Sequence, residues 1–179
     1  MCVVCYLSTD RVIPEIPFDT NAGDFNIERL EERPTPALSK KFVYYCGSST
    51  CCGCGFDDEG ISETVLQRTE NEISHGQLSE ETAWLWWDQQ TPPPQNKGEL
   101  EKTARRVRDA HRDAEKLYQL IRETCQSGFS CELLACWSGD ENQPVSRTVD
   151  VDLNQNEIEV DFRCVLDTSH SVLLYRFFK

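Results

Sequence analysis

The stretch that most constrains this chain is Lys41 to Phe56, KFVYYCGSSTCCGCGF, where an apolar, β-forming run passes directly into a cluster of glycines and cysteines. Phe42 to Tyr45 are aromatic or β-branched and predict a strand that stops at Cys46 or just after it, at Gly47. Glycines at 47, 53 and 55 permit unusual backbone angles and close approach, and Ser48, Ser49 and Thr50 add hydroxyls within a few residues. Such a junction can cradle a small ligand, a metal ion or another strand. Gly47, Ser48, Gly53 and Gly55 are the candidate ligand-binding positions.

Two chemistries suit the loop. Cys52 and Cys54 stand at Cys-x-Cys spacing and can bring two thiolates to one ion, with Cys46 and Cys51 as further candidate ligands and zinc as the candidate metal. Structural zinc sites usually carry two Cys-x-x-Cys pairs. Only Cys2 and Cys5 form one here, in a run whose strand geometry would point the two side chains into different environments. The competing structural reading has the glycines making a tight turn and the thiols packing as small hydrophobes.

The second chemistry is thiol catalysis, with Cys52 or Cys54 as nucleophile among free backbone N–H groups. A cysteine nucleophile needs a base, so His111, His75 or His170 would have to reach it through the fold. His111 lies beside Ala110 on the apolar stripe of a helix; such a histidine is more often a packing residue than a base. Cys2 is a separate candidate nucleophile: with Met1 removed, its amine could serve its own thiol.

Composition narrows the partners. The 179 residues suit one domain spanning 1–179, and no apolar run approaches the length of a membrane helix. A net charge of −13 disfavours nucleic acid and anionic lipid surfaces, which need a positive footprint, and leaves a protein partner or a second copy of the chain as alternatives. The opening MCVVCYLSTD has no basic region and too short an apolar run for a secretory signal, so a soluble, cytoplasmic protein is expected. In that compartment the ten cysteines read as reduced thiols, ligands or core residues rather than as a disulfide framework.

Along the chain, Cys2 to Leu7 predicts a buried central strand, and Phe25 to Leu30 a short edge strand. Ser62 and Ser79 are good N-caps for two short helices, the second carrying Trp84, Trp86 and Trp87. Three tryptophans within four residues cannot share one helical face, so at least one should meet solvent or a partner. Gln90 to Lys97 is proline-rich and marks an internal linker over 90–98. Beyond it Leu100, Ala104, Val107, Ala114, Leu117, Ile121 and Cys125 trace the apolar stripe of a long helix ending near Gly128.

Phe129 to Trp137 reads as a strand, and SGDENQP as a turn in which Asp140 and Glu141 are solvated. Ile158 to Leu166 alternates and, with Val172 to Phe178, predicts a C-terminal antiparallel hairpin. The expected fold is α+β: a mainly antiparallel sheet with one long amphipathic helix and shorter helices packed on one face.

The blocks MCVVCYLSTD, YYCGSSTCCGCGF and CWSGDENQP together resemble a family of uncharacterised bacterial proteins with a Met-Cys start and a Tyr-x-Gly-Ser…Cys-Gly-Cys-Gly-Phe motif. The most specific part is Tyr45, Gly47, Ser48, Cys52, Gly53, Cys54, Gly55 and Phe56. In that family a histidine often stands at the position of Ser49 and a glycine at that of Cys51, which removes a histidine ligand or base from this chain's loop. The resemblance implies a common site at the loop and a bacterial source, and no particular activity. Three functions stay open: a binding or structural domain whose 46–56 loop holds a metal ion or small ligand, a cysteine-dependent enzyme, and an acidic protein-interaction module.

Overall fold

A computed structural model of the chain describes residues 2–19, 24–50, 52–56, 61–89, 91–158, 160 and 172–179. Its centre is strand β1 (Val3–Thr9), every residue of which is buried. The segment VVCYLST has no polar face to offer water, so it is stable only with a layer on each side. It pairs antiparallel with β3 (Phe42–Gly47) on one edge and with β4 (Cys131–Trp137) on the other. Strand β2 (Asn26–Arg29) closes one end of the sheet as a short edge strand beside β3.

At the other end β4 pairs antiparallel with β6 (Val172–Phe178), and β6 pairs parallel with β5 (Arg147–Asp152). The six strands lie in the order β2-β3-β1-β4-β6-β5. The sheet is mainly antiparallel, as expected, with one parallel pair that makes it mixed. The antiparallel hairpin expected between 158–166 and β6 is not made along β6, because β4 and β5 take both of its edges; 159 and 161–171 lie outside the described residues. Strand β5 was hidden in sequence by the adjoining turn cluster, although Val149 and Val151 alternate with Thr148, Asp150 and Asp152 in the way a half-buried strand does.

The helices are α1 (Glu63–Ser74), α2 (Glu80–Asp88) and α3 (Lys97–Gln126). The side chains of Ser62, Ser79 and Asn96 accept the backbone N–H groups of Val65, Thr82 and Glu99, which fixes where each helix starts. Gly128, at φ +86, follows the end of α3. The 30 residues of α3 make it the longest element, at about 45 Å by the usual helical rise.

Helix α3 serves two cores. Leu117, Ile121 and Cys125 in its C-terminal half pack on the sheet face formed by Val3, Cys5, Leu7, Tyr44 and Leu133. Leu100, Ala104 and Val107 in its N-terminal half pack instead with Ile61, Leu66 and Trp86 of the α1–α2 region. The shorter helices therefore rest on α3 more than on the sheet. Trp86 is fully buried and donates its indole N–H to Thr69 at 2.8 Å, whereas Trp84 and Trp87 are 70% and 53% exposed. No helix among the described residues is long and apolar enough to cross a membrane.

The opposite sheet face, with Val4, Tyr6, Val43, Leu134 and Leu174, is covered by Leu38 from the segment between β2 and β3. A buried carboxylate holds that segment down. Glu132 accepts from Ser39 N (2.6 Å), Ser39 Oγ (2.6 Å) and Ser8 Oγ (2.9 Å), the last from its register partner on β1. Burial pushes its pKa up, but the Ser39 and Ser8 hydrogen bonds outweigh burial and the net shift is downward. The bonds to Glu132 therefore contribute stability that is full above its unfolded pKa of about 4.3 and is lost as pH falls through the lower folded value. Glu132→Ala should cost roughly 3 kcal/mol in urea unfolding at neutral pH. The gap between the natural protein and Glu132→Gln should close as the medium is acidified, and a gap that persists below the folded pKa would contradict the assignment.

Candidate metal centre

Strand β3 ends at Gly47, which sits opposite Asn26; a Cβ on Gly47 would lie 2.6 Å from the Asn26 side chain. The chain then folds back on itself. The Cys52 carbonyl accepts from Ser48 N (3.3 Å), Ser48 Oγ (2.7 Å) and Gly55 N (3.4 Å), so Ser48, Cys52 and Gly55 are drawn together around one oxygen. Ser48 Oγ also accepts from Thr50 N (3.2 Å) and lies 2.9 Å from Thr50 Oγ1. The next residues form a single 3-10 turn, Gly53–Phe56.

Two glycines are required here by close approach. A Cβ at Gly53 would stand 2.8 Å from Cys5 Sγ and 3.0 Å from the Val3 carbonyl, so only glycine lets the turn press onto β1. A Cβ at Gly55 would collide with Ser48 Oγ and Thr50 Oγ1. Phe56 anchors the end of the turn in the core, edge-on to Phe25 with centroids 6.2 Å apart. The four candidate ligand-binding residues thus have defined partners within the protein. Gly47 faces Asn26, Ser48 and Gly55 face one another, and Gly53 faces β1.

With Gly53 pressed on β1, Cys52 and Cys54 flank the start of that strand, where Cys2 stands exposed. The three Sγ atoms of Cys2, Cys52 and Cys54 all lie within 4.8 Å of one another. Protein donors reach two of the sulfurs: Val3 N–H donates to Cys54 Sγ at 3.0 Å, and Thr50 Oγ1 lies 3.7 Å from Cys52 Sγ. Burial raises the Cys52 pKa, but the Thr50 hydroxyl, the Cys54 N–H and the Cys54 and Cys2 thiols favour its thiolate more strongly, and the net shift is downward. Cys54 is pushed up to about 11, by burial first and then by its neighbour Cys52 against the Val3 N–H. Of the two loop thiols, Cys52 is therefore the one whose surroundings favour the thiolate.

The sequence-derived ligand set is regrouped by this geometry. Cys46, expected beside Cys52 and Cys54, follows strand alternation into the core opposite Cys5 and is fully buried, its thiol raised to about 12 by burial. Cys51 lies outside the described residues. Cys2, a candidate nucleophile in the sequence, is brought to Cys52 and Cys54, while Cys5 of the same Cys-x-x-Cys pair turns into the core. The two thus occupy different environments, as strand geometry requires. His111 is exposed on α3, not set on the buried stripe; His75 is exposed at the end of α1, bonded to the Asn71 carbonyl; His170 lies outside the described residues.

One contributor went unread in the sequence. Asp113, fully buried on α3, accepts Ser49 N at 2.6 Å through Oδ2 and the Arg112 guanidinium at 3.2 Å through Oδ1, tying the loop to the helix. Its signal was a carboxylate falling on the apolar stripe between Ala110 and Leu117, a place where charge is costly unless partnered. No family model, curated protein or solved structure matches the chain.

Asp113→Ala leaves the Ser49 N–H without its acceptor and should lower stability by about 2–3 kcal/mol in urea unfolding, with Asp113→Asn costing less because the amide oxygen can still accept. Equal stability of all three proteins would show that the loop is held without this bond.

Proposed function

We propose that the protein binds a soft metal ion, zinc foremost, through the thiolates of Cys2, Cys52 and Cys54. The observation that carries the reading is the mutual approach of the three sulfurs to within 4.8 Å. Around a tetrahedral zinc with Zn–S of about 2.3 Å, neighbouring sulfurs sit roughly 3.8 Å apart, so the trio needs a contraction of about 1 Å at most. Thiolate sulfur selects zinc and copper(I) over the hard cations that favour carboxylate and water.

The surroundings support the same reading. Metal-bound thiolates are commonly stabilised by N–H and O–H donors around them, and Val3 N–H and the Thr50 hydroxyl stand in those places. The loop that presents Cys52 and Cys54 is braced by β1, Asn26, Phe25 and Asp113 rather than left open. Three protein ligands leave a fourth position for water or a further donor, the ligand number of catalytic zinc sites. On this reading the motif Cys-Gly-Cys-Gly-Phe, shared with the bacterial family the chain resembles, is a metal-binding turn whose glycines exist to let it dock.

Elemental analysis of the purified, zinc-supplied protein should find about one soft metal ion per chain, lost on chelation, with thiols that become reactive only after the metal is removed. Cys52→Ser combined with Cys54→Ser should abolish stoichiometric binding and lower Tm relative to the loaded protein. Unchanged metal content in that double variant, or no binding by the natural protein when zinc is supplied, would overturn the proposal.

A further inference from the structure

Next to the thiol loop, on the side facing α3, lies a cavity of about 160 Å³ bordered by Ser49, Thr50 and Gly55 and by Lys102, Arg105 and Arg106. The three cations come from one helical face, at spacings of three and four residues that bring side chains together. The acid that lines this cavity among the described residues, Asp109, is shared between Arg105 at 3.8 Å and Arg112 at 2.9 Å. Among the described residues Lys102 has no carboxylate partner. On a chain of net charge −13, this is a local concentration of positive charge set against hydroxyl groups.

A second cavity of about 400 Å³ adjoins the first, because Lys102 and Arg106 line both. Its far wall is Pro92, Pro93 and Pro94, an apolar surface held flat by the rings, with Pro93 and Pro94 themselves buried. The inner cavity is smaller than the roughly 300 Å³ at which pockets begin to take whole drug-sized ligands, so it suits a single charged group. The outer one has room for an organic body. Arginine and lysine around hydroxyl donors are the groups that recognise tetrahedral oxyanions.

We propose that these two cavities form one binding site for a small organic phosphate, with the phosphoryl group between Thr50 and the Lys102, Arg105 and Arg106 side chains and the organic body along the proline wall. Thr50 joins this site to the thiol trio, since its Oγ1 also lies 3.7 Å from Cys52 Sγ. The phosphoryl end is thus the part of the ligand set beside the sulfurs. The site is built from side chains of α3 and from Thr50 of the loop and does not require the metal.

The test is a titration of the full chain with phenyl phosphate, inorganic phosphate and phenol, followed by calorimetry or amide chemical shifts, with a chelator present so that metal loss and ligand loss are read separately. Saturable binding of phenyl phosphate with Kd of about 1 mM or below is expected, with inorganic phosphate weaker and phenol not bound. Lys102→Ala combined with Arg106→Ala should weaken phenyl phosphate at least about tenfold, since both side chains are exposed and their truncation leaves the core intact. Arg147→Gln, removing an exposed charge elsewhere, should leave it unchanged. The proposal is overturned by no saturation up to about 10 mM, by equal affinity of the double variant, or by an equal loss in Arg147→Gln.

Discussion

Everything in this protein hangs on the double pairing of β1. A strand of seven buried residues with hydrogen-bonded neighbours on both edges has its register fixed, and slipping it by one residue would drive Val3, Cys5 and Leu7 out of one core and Val4 and Tyr6 out of the other. That register places Cys2 just before the strand, the Val3 N–H aimed at Cys54, and Cys5 beneath Gly53. The thiol group is therefore a consequence of sheet geometry. The loop supplies two sulfurs, but the strand decides where they come to rest.

The loop itself is held from three directions. Backbone and hydroxyl bonds around the Cys52 carbonyl give it internal shape, Phe56 and Gly53 seat it on the sheet, and Asp113 fixes Ser49 to the long helix. A site organised this way presents its donors before any ligand arrives, which lowers the ordering cost of binding. The cationic face of α3 approaches the same loop from the other side. One short segment thus separates soft sulfur donors from a cluster of hard cations.

Much of the fold was legible in sequence because periodicity and caps speak plainly. Ser62 and Ser79 cap the helices they were expected to cap, the apolar stripe of α3 is buried at Leu100, Ala104, Val107, Leu117 and Ile121, and Phe42 to Gly47 is a strand. Tertiary facts were not legible. Cys2 and Cys54 are 52 positions apart and no local pattern ties them, whereas Cys46 looked like a natural companion of Cys52 only because it is near in the chain. Glu132 and Asp113 share a different obscurity: a carboxylate in an apolar run announces a buried partner without naming it.

The order of strands in the sheet also bears on how the chain comes to its folded state. Ser8 and its partner Glu132 are separated by 124 residues, and β1 gains its second neighbour only when β4 is in place. During synthesis the first strand must wait, paired at most with β3, while an apolar edge stays open. Such long-range closure makes for slow folding. Because Cys2 leads directly into β1, its place beside Cys52 and Cys54 depends on that long-range closure as much as on the loop itself.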